Sequence, residues 1–240
     1  MDVIGDLVQR SRAGEHDERM ALRASGDPPS RYTYAEFRTT ARKTGNYLSH
    51  HGVGPERPVG VPDDRAAELV LTLYGAALLG APLIVEPADA PELAALVAPT
   101  QALEASTVSP GTARIGYGER PDQPDATLFG RAVWSENPGF PPTTVAPDQP
   151  ILQGAFGSVS HRSLVAAGRR AADHLSIEAG EDVAVRATLT EPGTIAAGLV
   201  APILEGATIV FPGTDEKADI AVVSGDAPEK RRIDPRTVEV

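Results

Sequence analysis

The sequence contains no cysteine, few lysines and few aromatic residues. Of its 22 basic residues, 3 are lysines (Lys43, Lys217 and Lys230), so 19 are arginines. Without cysteine the chain has no disulfide, no thiolate metal site and no cysteine nucleophile. Aromatic residues make up 5% of the 240 residues, and Trp134 is the single tryptophan.

Acidic residues dominate the charge. Asp and Glu total 33 against 22 Lys and Arg, which gives a formal net charge of -11. A field of this sign repels phosphate backbones, so we expect no nucleic-acid partner. An acidic, lysine-poor composition is halophile-like, typical of proteins in a salt-loaded cytoplasm. It is equally typical of an ordinary acidic protein from a GC-rich genome, in which arginine codons are favoured.

The sequence also lacks a convincing membrane segment. Residues 69–85 are uncharged and approach the minimum membrane span of about 17 residues. Gly75, Gly80 and Pro82 interrupt this run, and a buried helix followed by a buried strand explains it. The first residues have neither the basic nor the apolar part of a signal peptide. We therefore expect a cytoplasmic protein without a membrane partner.

Hydrophobic spacing in the first part of the chain predicts alternating helices and strands. Thr33 and Glu36 have the spacing of a capping box, and Asp63 or Asp64 is expected to cap the second helix. The predicted elements are, in chain order, a helix from Thr33 to Gly52, a strand at 59–61, a helix ending at Gly80, a strand at 82–85 and a short helix at 93–97.

The second part of the chain repeats this order. Two αβαβ lobes with mainly parallel sheets and right-handed crossovers follow from the pattern, which is an α/β architecture. The predicted elements are a helix at 163–175, a strand at 183–185, a helix at 194–204 that Gly206 ends, a strand at 208–211 and a last strand at 220–223.

The pattern divides the chain into four regions. The first lobe is predicted at 1–108, the second lobe at 151–224 and a loose polar tail at 225–240. Between the lobes, 109–150 is rich in proline and glycine. We expect this connector to pack against the core through its aromatic residues Tyr117, Phe129, Trp134 and Phe140.

Several segments in this order resemble a known family. They are YTYAEF at 32–37, GVGPERPVGV at 52–61, LYGAALLGA at 73–81, SHRSL at 160–164 and GEDVAV at 180–185. Together they resemble the N-terminal part of the adenylate-forming (AMP-binding) enzymes, which include acyl-CoA synthetases, adenylation domains and luciferases. The resemblance extends from about residue 21 to residue 211, and it implies the α/β fold of the N-terminal subdomains of these enzymes.

One segment departs from the family. Its phosphate-binding loop is a Thr/Ser/Gly-rich run with Pro-Lys-Gly, placed just before the segment that 160–164 resembles. Here residues 151–159 are ILQGAFGSV, which is shorter and has no lysine. The family's adenine motif, its ribose-binding aspartate and its lid lysine are also absent from this sequence. The resemblance therefore assigns no catalytic residue and no metal ligand.

A small set of residues remains as candidate ligand contacts. ATP or AMP with magnesium is expected only if the shortened loop still binds phosphate. Ser160 with His161 allows a Ser–His interpretation, but Ser160 also fits the N-cap of the next helix. Glu191 either faces a ligand or sits at a helix N-terminus. The candidate contacts are Gly154, Gly157, Ser158, Ser160, His161 and Glu191.

These observations leave three hypotheses for function. The first is a catalytically inactive homologue of AMP-dependent ligases that acts as a binding, regulatory or partner-interaction module. The second is one half of a split acyl-adenylate-forming ligase, which a partner chain or a homodimer completes. The third is a binder of a nucleotide or acyl ligand without chemistry. If the chain is active, the resemblance implies an AMP-forming acid–thiol ligase or an adenylating enzyme.

Overall fold

A computed structural model describes residues 2–9, 12–26, 29–87, 92–140 and 143–240. These residues form two mainly parallel sheets with flanking helices, so the predicted α/β class is confirmed. The strands are β1 (Met20–Ala24), β2 (Ser30–Thr33), β3 (Val59–Val61), β4 (Leu83–Val85), β5 (Ala95–Pro99), β6 (Ala113–Tyr117), β7 (Ala126–Leu128), β8 (Pro150–Gly154), β9 (Gly157–Ser160), β10 (Asp182–Val185), β11 (Thr208–Phe211), β12 (Ile220–Val222) and β13 (Arg231–Ile233).

The helices connect and cover these strands. The α-helices are α1 (Tyr34–His50), α2 (Ala67–Leu79), α3 (Thr100–Ala105), α4 (Phe129–Ser135), α5 (His161–Leu175), α6 (Pro192–Ile195) and α7 (Ala201–Glu205), with 3₁₀ helices at Ile4–Val8 and Pro235–Thr237. Among the described residues, no helix has both the length and the apolar character that crossing a bilayer requires.

The first sheet has seven strands in the order β7-β6-β5-β3-β4-β8-β9, and the second has six in the order β13-β12-β10-β11-β1-β2. All pairings in both sheets are parallel except β8 with β9 and β1 with β2. Parallel neighbours require crossover connections. Helices provide several of these, such as α2 between β3 and β4, whereas non-helical segments connect β6 to β7 and β12 to β13.

Each sheet takes a hairpin from the other part of the chain. Strand β1 pairs with β11 of the second sheet, with Leu22 opposite Ile209. Strand β8 pairs with β4 of the first sheet, with Leu83 opposite Leu152. The sheets therefore do not follow the predicted boundaries at 1–108 and 151–224. Hydrophobic spacing marks where a strand is, but it carries no information about which distant strand becomes its neighbour.

The predicted connector contributes to the first sheet. It contains β6, β7 and α4, and its Tyr117 and Phe129 are buried. Phe140 packs against the core from a partly buried position. Trp134 differs from the expectation, because 80% of its surface is exposed.

Several predicted helix boundaries are confirmed. The Thr33 hydroxyl accepts from the Glu36 N–H, and the Glu36 carboxylate accepts from the Thr33 N–H, which completes the capping box. Gly80 and Gly206 end α2 and α7 in the left-handed conformation that glycine adopts without strain, at φ 65° and φ 75°. The prediction for α2's start was wrong, since Ala66 is its N-cap and makes no side-chain cap.

The short helix predicted at 93–97 is also wrong. Residues Ala95–Pro99 form β5, which lies between β3 and β6 in the first sheet. Four of the five β5 residues are buried. A strand covered on both faces shows a continuous apolar run, which spacing alone does not separate from a short buried helix.

The helix predicted at 194–204 contains an irregular turn. Helices α6 and α7 are joined by a π-helical turn at Ala196–Val200. Pro202 follows directly inside α7. Proline has no N–H to donate to the preceding turn, and this missing hydrogen bond accounts for the widened turn.

Residues beyond Ser224 are ordered, in contrast to the predicted loose tail. Strand β13 pairs with β12, with Val222 opposite Ile233. Ahead of it, the Glu229 side chain is 0% exposed and forms an ion pair with Arg186. The polar composition of this segment predicted a loose tail, but the charged residues of β13 form ion pairs within the fold.

The two halves share one core. Tyr74 of α2 is completely buried, and its hydroxyl donates to the carbonyl oxygen of Leu199 at 2.9 Å. Tyr34 of α1 similarly donates to the carbonyl oxygen of Ala207 at 2.7 Å. Helices of the first half thus bond directly to elements that flank the second sheet.

Candidate functional site

Residues 150–160, where the resemblance leads us to expect a phosphate loop, form a tight hairpin. Strands β8 and β9 pair antiparallel, with Pro150 opposite Ser160 and Gly154 opposite Gly157. Only Ala155 and Phe156 join the two strands, and Gly157 has φ 95°, a left-handed position that suits glycine. The chain therefore reverses direction here without an open loop.

The tip of this hairpin is exposed and offers little to an anion. Gly154, Gly157 and Ser158 are all exposed. A Cβ at Gly154 would lie 2.8 Å from the Phe156 ring, so this ring covers the glycine. The facing glycines close the strand ladder, whereas a phosphate site needs consecutive amides that converge on one point. The geometry does not fit a triphosphate.

Ser160 caps the helix that follows the hairpin. Its hydroxyl accepts from the Ser163 N–H at 3.1 Å, as the N-cap interpretation predicted. The first residue of α5, His161, is fully buried. Its Nδ1 accepts from the Ile4 N–H at 3.3 Å, while its Nε2 has no partner among the described residues. Burial lowers the pKa of His161 to about 4. His161 is therefore a buried, neutral residue of the core.

Glu191 lies elsewhere in the fold. It is the N-cap of α6, and its main-chain carbonyl accepts from the Thr194 N–H at 2.9 Å, but its side chain makes no cap. Helix α6 packs against the 3₁₀ helix at Pro235–Thr237, at the second sheet. Five of the six candidates lie on the hairpin or at the start of α5, whereas Glu191 lies at the start of α6. Among the described residues, no hydrogen bond connects Glu191 to the hairpin.

A junction that the sequence did not indicate ties the carboxyl ends of the two sheets together. Asp63 follows β3, and its carboxylate accepts from the Leu189 N–H at 2.8 Å and from the Thr188 hydroxyl. Both partners follow β10 of the second sheet. Arg65 adds a hydrogen bond to the carbonyl oxygen of Arg186 at 2.7 Å. The predicted capping aspartate therefore joins the two sheets instead.

A cleft of about 580 Å³ opens beside this junction. It lies at the carboxyl ends of strands from both sheets, where parallel α/β sheets usually bind ligands. Residues that end or follow β1, β3, β5, β6, β7 and β11 line it. Its lining includes Ala24, Ser25, Asp64, Arg65, Glu68, Pro99, Tyr117, Leu128, Phe211 and Pro212.

The polar groups of the cleft are acidic and partly withdrawn from water. The Tyr117 hydroxyl donates to the Asp64 carboxylate at 2.8 Å. Burial, with the charge of Asp64, raises the pKa of Tyr117, so the phenol keeps its proton. Burial also raises the pKa of Glu68, and Asp64 adds to this effect. In the described part of the chain, no group of three His, Cys, Asp or Glu residues is placed to hold a metal ion.

Comparisons with known proteins agree with the resemblance seen in the sequence. Residues 9–102 match the profile of the family described as AMP-binding enzyme. No curated protein gives a significant match to the whole sequence.

Solved structures share the fold. The anthranilate CoA ligase AuaEII, in complex with anthranoyl-AMP, gives a TM-score of 0.76 at 17% identity, over 92% of this chain and 49% of that chain. A benzoate CoA ligase from Burkholderia xenovorans LB400 gives 0.72 at 20% identity, over 92% and 50%. The N-terminal domain of FACL13 from Mycobacterium tuberculosis gives 0.70 at 16% identity, over 90% and 58%.

The chain is thus similar to the N-terminal part of the adenylate-forming enzymes. The similarity is shown in sequence over residues 9–102 and in fold over about nine-tenths of the chain. The chain spans about half of the length of the ligases that it matches.

Proposed function

We propose that this chain is a non-adenylating relative of the AMP-dependent ligases that acts as a binding, regulatory or partner-interaction module. The observation that carries the proposal is the hairpin of β8 and β9. At the position where the resemblance places a phosphate loop, only two residues, Ala155 and Phe156, connect strands β8 and β9.

Charge supports the same proposal. Phosphoryl chemistry depends on donors and cations that neutralise the phosphate oxygens. The three lysines lie away from the hairpin: Lys43 in α1, Lys217 before β12 and Lys230 before β13. The net charge of -11 opposes a polyanion as well. Neither the hairpin nor the overall field favours ATP.

The test is ATP–pyrophosphate exchange together with calorimetric titration of ATP and AMP in the presence of magnesium. We expect no exchange with a panel of carboxylic acids and no heat of binding for ATP. An active acyl-CoA ligase, assayed in the same buffers, serves as the positive control. Saturable binding of magnesium–ATP, or exchange by the isolated chain, would overturn the proposal.

The alternative proposal is one half of a split acyl-adenylate-forming ligase, completed by a partner chain or by a second copy. Its support is that the fold covers 92% of this chain but about half of each full ligase. This alternative predicts exchange only after mixing with the completing chain. Sedimentation of the isolated chain and exchange assays with candidate completing chains distinguish the two proposals. A stable monomer that remains inactive after mixing supports the non-adenylating module.

A further inference from the structure

A second cavity lies between α1 and α4. This groove has a volume of about 430 Å³ and adjoins the cleft, because Glu68 and Gly130 line both. Residues of one face of α1 form one wall, and residues of α4 form the other. The lining residues that the argument uses are Tyr32, Glu36, Lys43, Glu68, Val133 and Trp134.

One end of the groove holds a carboxylate without a counter-ion. Glu68 is the second residue of α2 and is only partly exposed. In the described part of the chain, its carboxylate has no ion pair and no hydrogen bond to another side chain. The acidic side chains near it are already engaged, Glu36 with Thr33 and Asp64 with the Tyr117 hydroxyl. The Glu68 carboxylate accepts a hydrogen bond from its own main chain in the first turn of α2, but no cationic side chain of the described residues pairs with it.

The neighbouring cations do not reach this carboxylate. Lys43 lies seven residues beyond Glu36 along α1, which is roughly 10 Å along a helix axis. Its Nζ donates to the carbonyl oxygen of Trp134 at 2.8 Å, at the other end of the groove. The Arg65 guanidinium donates to the carbonyl oxygen of Arg186. Both cations are therefore held at other places.

The rest of the groove is apolar and aromatic. Phe129 and Val133 are 3% and 2% exposed, so they form a fixed floor. Trp134 stands at the rim with 80% of its surface exposed. The exposed indole of Trp134 adds apolar surface to the groove beside this floor. Its ring face also attracts organic cations.

We propose that this groove binds an organic cation, with a primary ammonium at Glu68 and an apolar body along Val133 and Trp134. An ammonium would supply the charge that Glu68 lacks, and the alkyl or aryl part would cover the exposed indole. The inference goes beyond the proposed function, because the groove is separate from the hairpin and does not depend on adenylation.

Trp134 provides the readout, since it is the single tryptophan of the chain. The probes are hexylammonium, hexanoate and hexanol, which share one alkyl chain and differ in charge. We expect hexylammonium to change the Trp134 fluorescence saturably and to bind at least tenfold more tightly than either of the other two. Equal or tighter binding of hexanoate would overturn the proposal, because Lys43 would then be the group that selects the ligand.

A matched pair of variants tests the role of Glu68. In Glu68→Gln, hexylammonium should bind at least tenfold more weakly, while hexanol binding stays within twofold. The same chemical change in Glu56→Gln, at an exposed position outside both cavities, should leave all affinities unchanged. Undiminished hexylammonium binding by a folded Glu68→Gln variant contradicts the proposal.

The three-probe comparison on the wild-type chain tests the proposal even if the Glu68→Gln variant does not fold. ATP exchange is measured separately, so failure here and failure of the proposed function remain distinguishable.

Discussion

The guanidinium of Arg186 donates hydrogen bonds to both oxygens of the buried Glu229 carboxylate. The Arg186 Nε lies 3.2 Å from the Glu229 Oε2, and the Ala218 N–H donates to the other oxygen at 3.2 Å. The Arg186 side chain is 18% exposed and that of Glu229 is 0% exposed. This pair fixes the segment before β13 to the end of β10.

Breaking this pair should be costly. We expect Arg186→Met, which leaves the Glu229 charge buried without its partner, to lower the free energy of unfolding by about 3–5 kcal/mol. Urea denaturation measures this change. Glu56→Gln, at an exposed site, is the control and should stay within about 0.5 kcal/mol of the wild type.

The same pair has a pH signature. Burial acts to raise the pKa of Glu229, but hydrogen bonds from Arg186 and Ala218 more than offset it, so the pKa lies below its ordinary value. Its stabilising contribution is therefore complete above the unfolded pKa of about 4.3 and is lost as the pH falls through the folded pKa. In Arg186→Met, burial acts on the Glu229 pKa without the opposing hydrogen bonds and charge of Arg186, so the loss of stability at acid pH should weaken or reverse. An unchanged pH slope in the variant would contradict the assignment.

His161 should make the free energy of unfolding fall with decreasing pH in a range above that of Glu229. Its folded pKa is about 4, compared with about 6.5 in the unfolded chain. Because the neutral form is favoured in the fold, its contribution is complete above pH 6.5 and is lost as the pH falls toward 4. The loss amounts to about 3 kcal/mol. Urea titrations across this range should show a flatter profile for His161→Gln, whereas the exposed His174→Gln should keep the wild-type slope.

Gly193 is placed where no side chain fits. A Cβ at this position would overlap the carbonyl oxygen of Pro235 and would also press on Val238. We expect Gly193→Ala to displace the 3₁₀ helix at Pro235–Thr237 and to destabilise the fold by about 1–3 kcal/mol. Hydrogen exchange should show faster exchange in residues 234–238. Gly54→Ala, where a Cβ meets nothing within 4 Å, should not have this effect; equal behaviour of the two variants would refute the packing argument.

The junction between the sheets depends on Asp63. Replacing it by asparagine removes the charge that accepts hydrogen bonds from Leu189 and Thr188. Charge-assisted hydrogen bonds contribute about 1.5–3 kcal/mol each, so Asp63→Asn should lower the unfolding free energy by at least about 1.5 kcal/mol. Chemical denaturation of Asp63→Asn and of the exposed Asp122→Asn compares the two sites. Equal stability of these variants would show that the junction is not an energetic link.

Local signals in the sequence predicted the regular elements well. The Thr33–Glu36 capping box and the terminal glycines Gly80 and Gly206 act through neighbouring residues, so spacing alone identifies them. Strand β5 was missed because its burial on both faces removes the alternation that marks a strand. Strand β13 was missed because its charged residues suggested solvent.

The candidate site was harder to predict. The sequence predicted that residues 151–159 depart from the family's phosphate loop, since they are shorter and contain no lysine. The role of Asp63 was not visible, because its partners Thr188 and Leu189 lie on the other sheet. The same holds for Glu68, whose importance comes from two cavities that form only after the helices pack. Both depend on contacts between residues that are remote along the chain.

The pairing of β1 with β11 has a consequence for synthesis. Leu22 leaves the ribosome long before its partner Ile209 is made. Until then, β2 occupies one edge of β1, but the edge that will pair with β11 is open. The apolar Ala21 and Leu22 therefore have no complete sheet to join. Contacts this distant along the chain slow folding. A nascent chain should therefore keep this edge of β1 unpaired until β11 has been made.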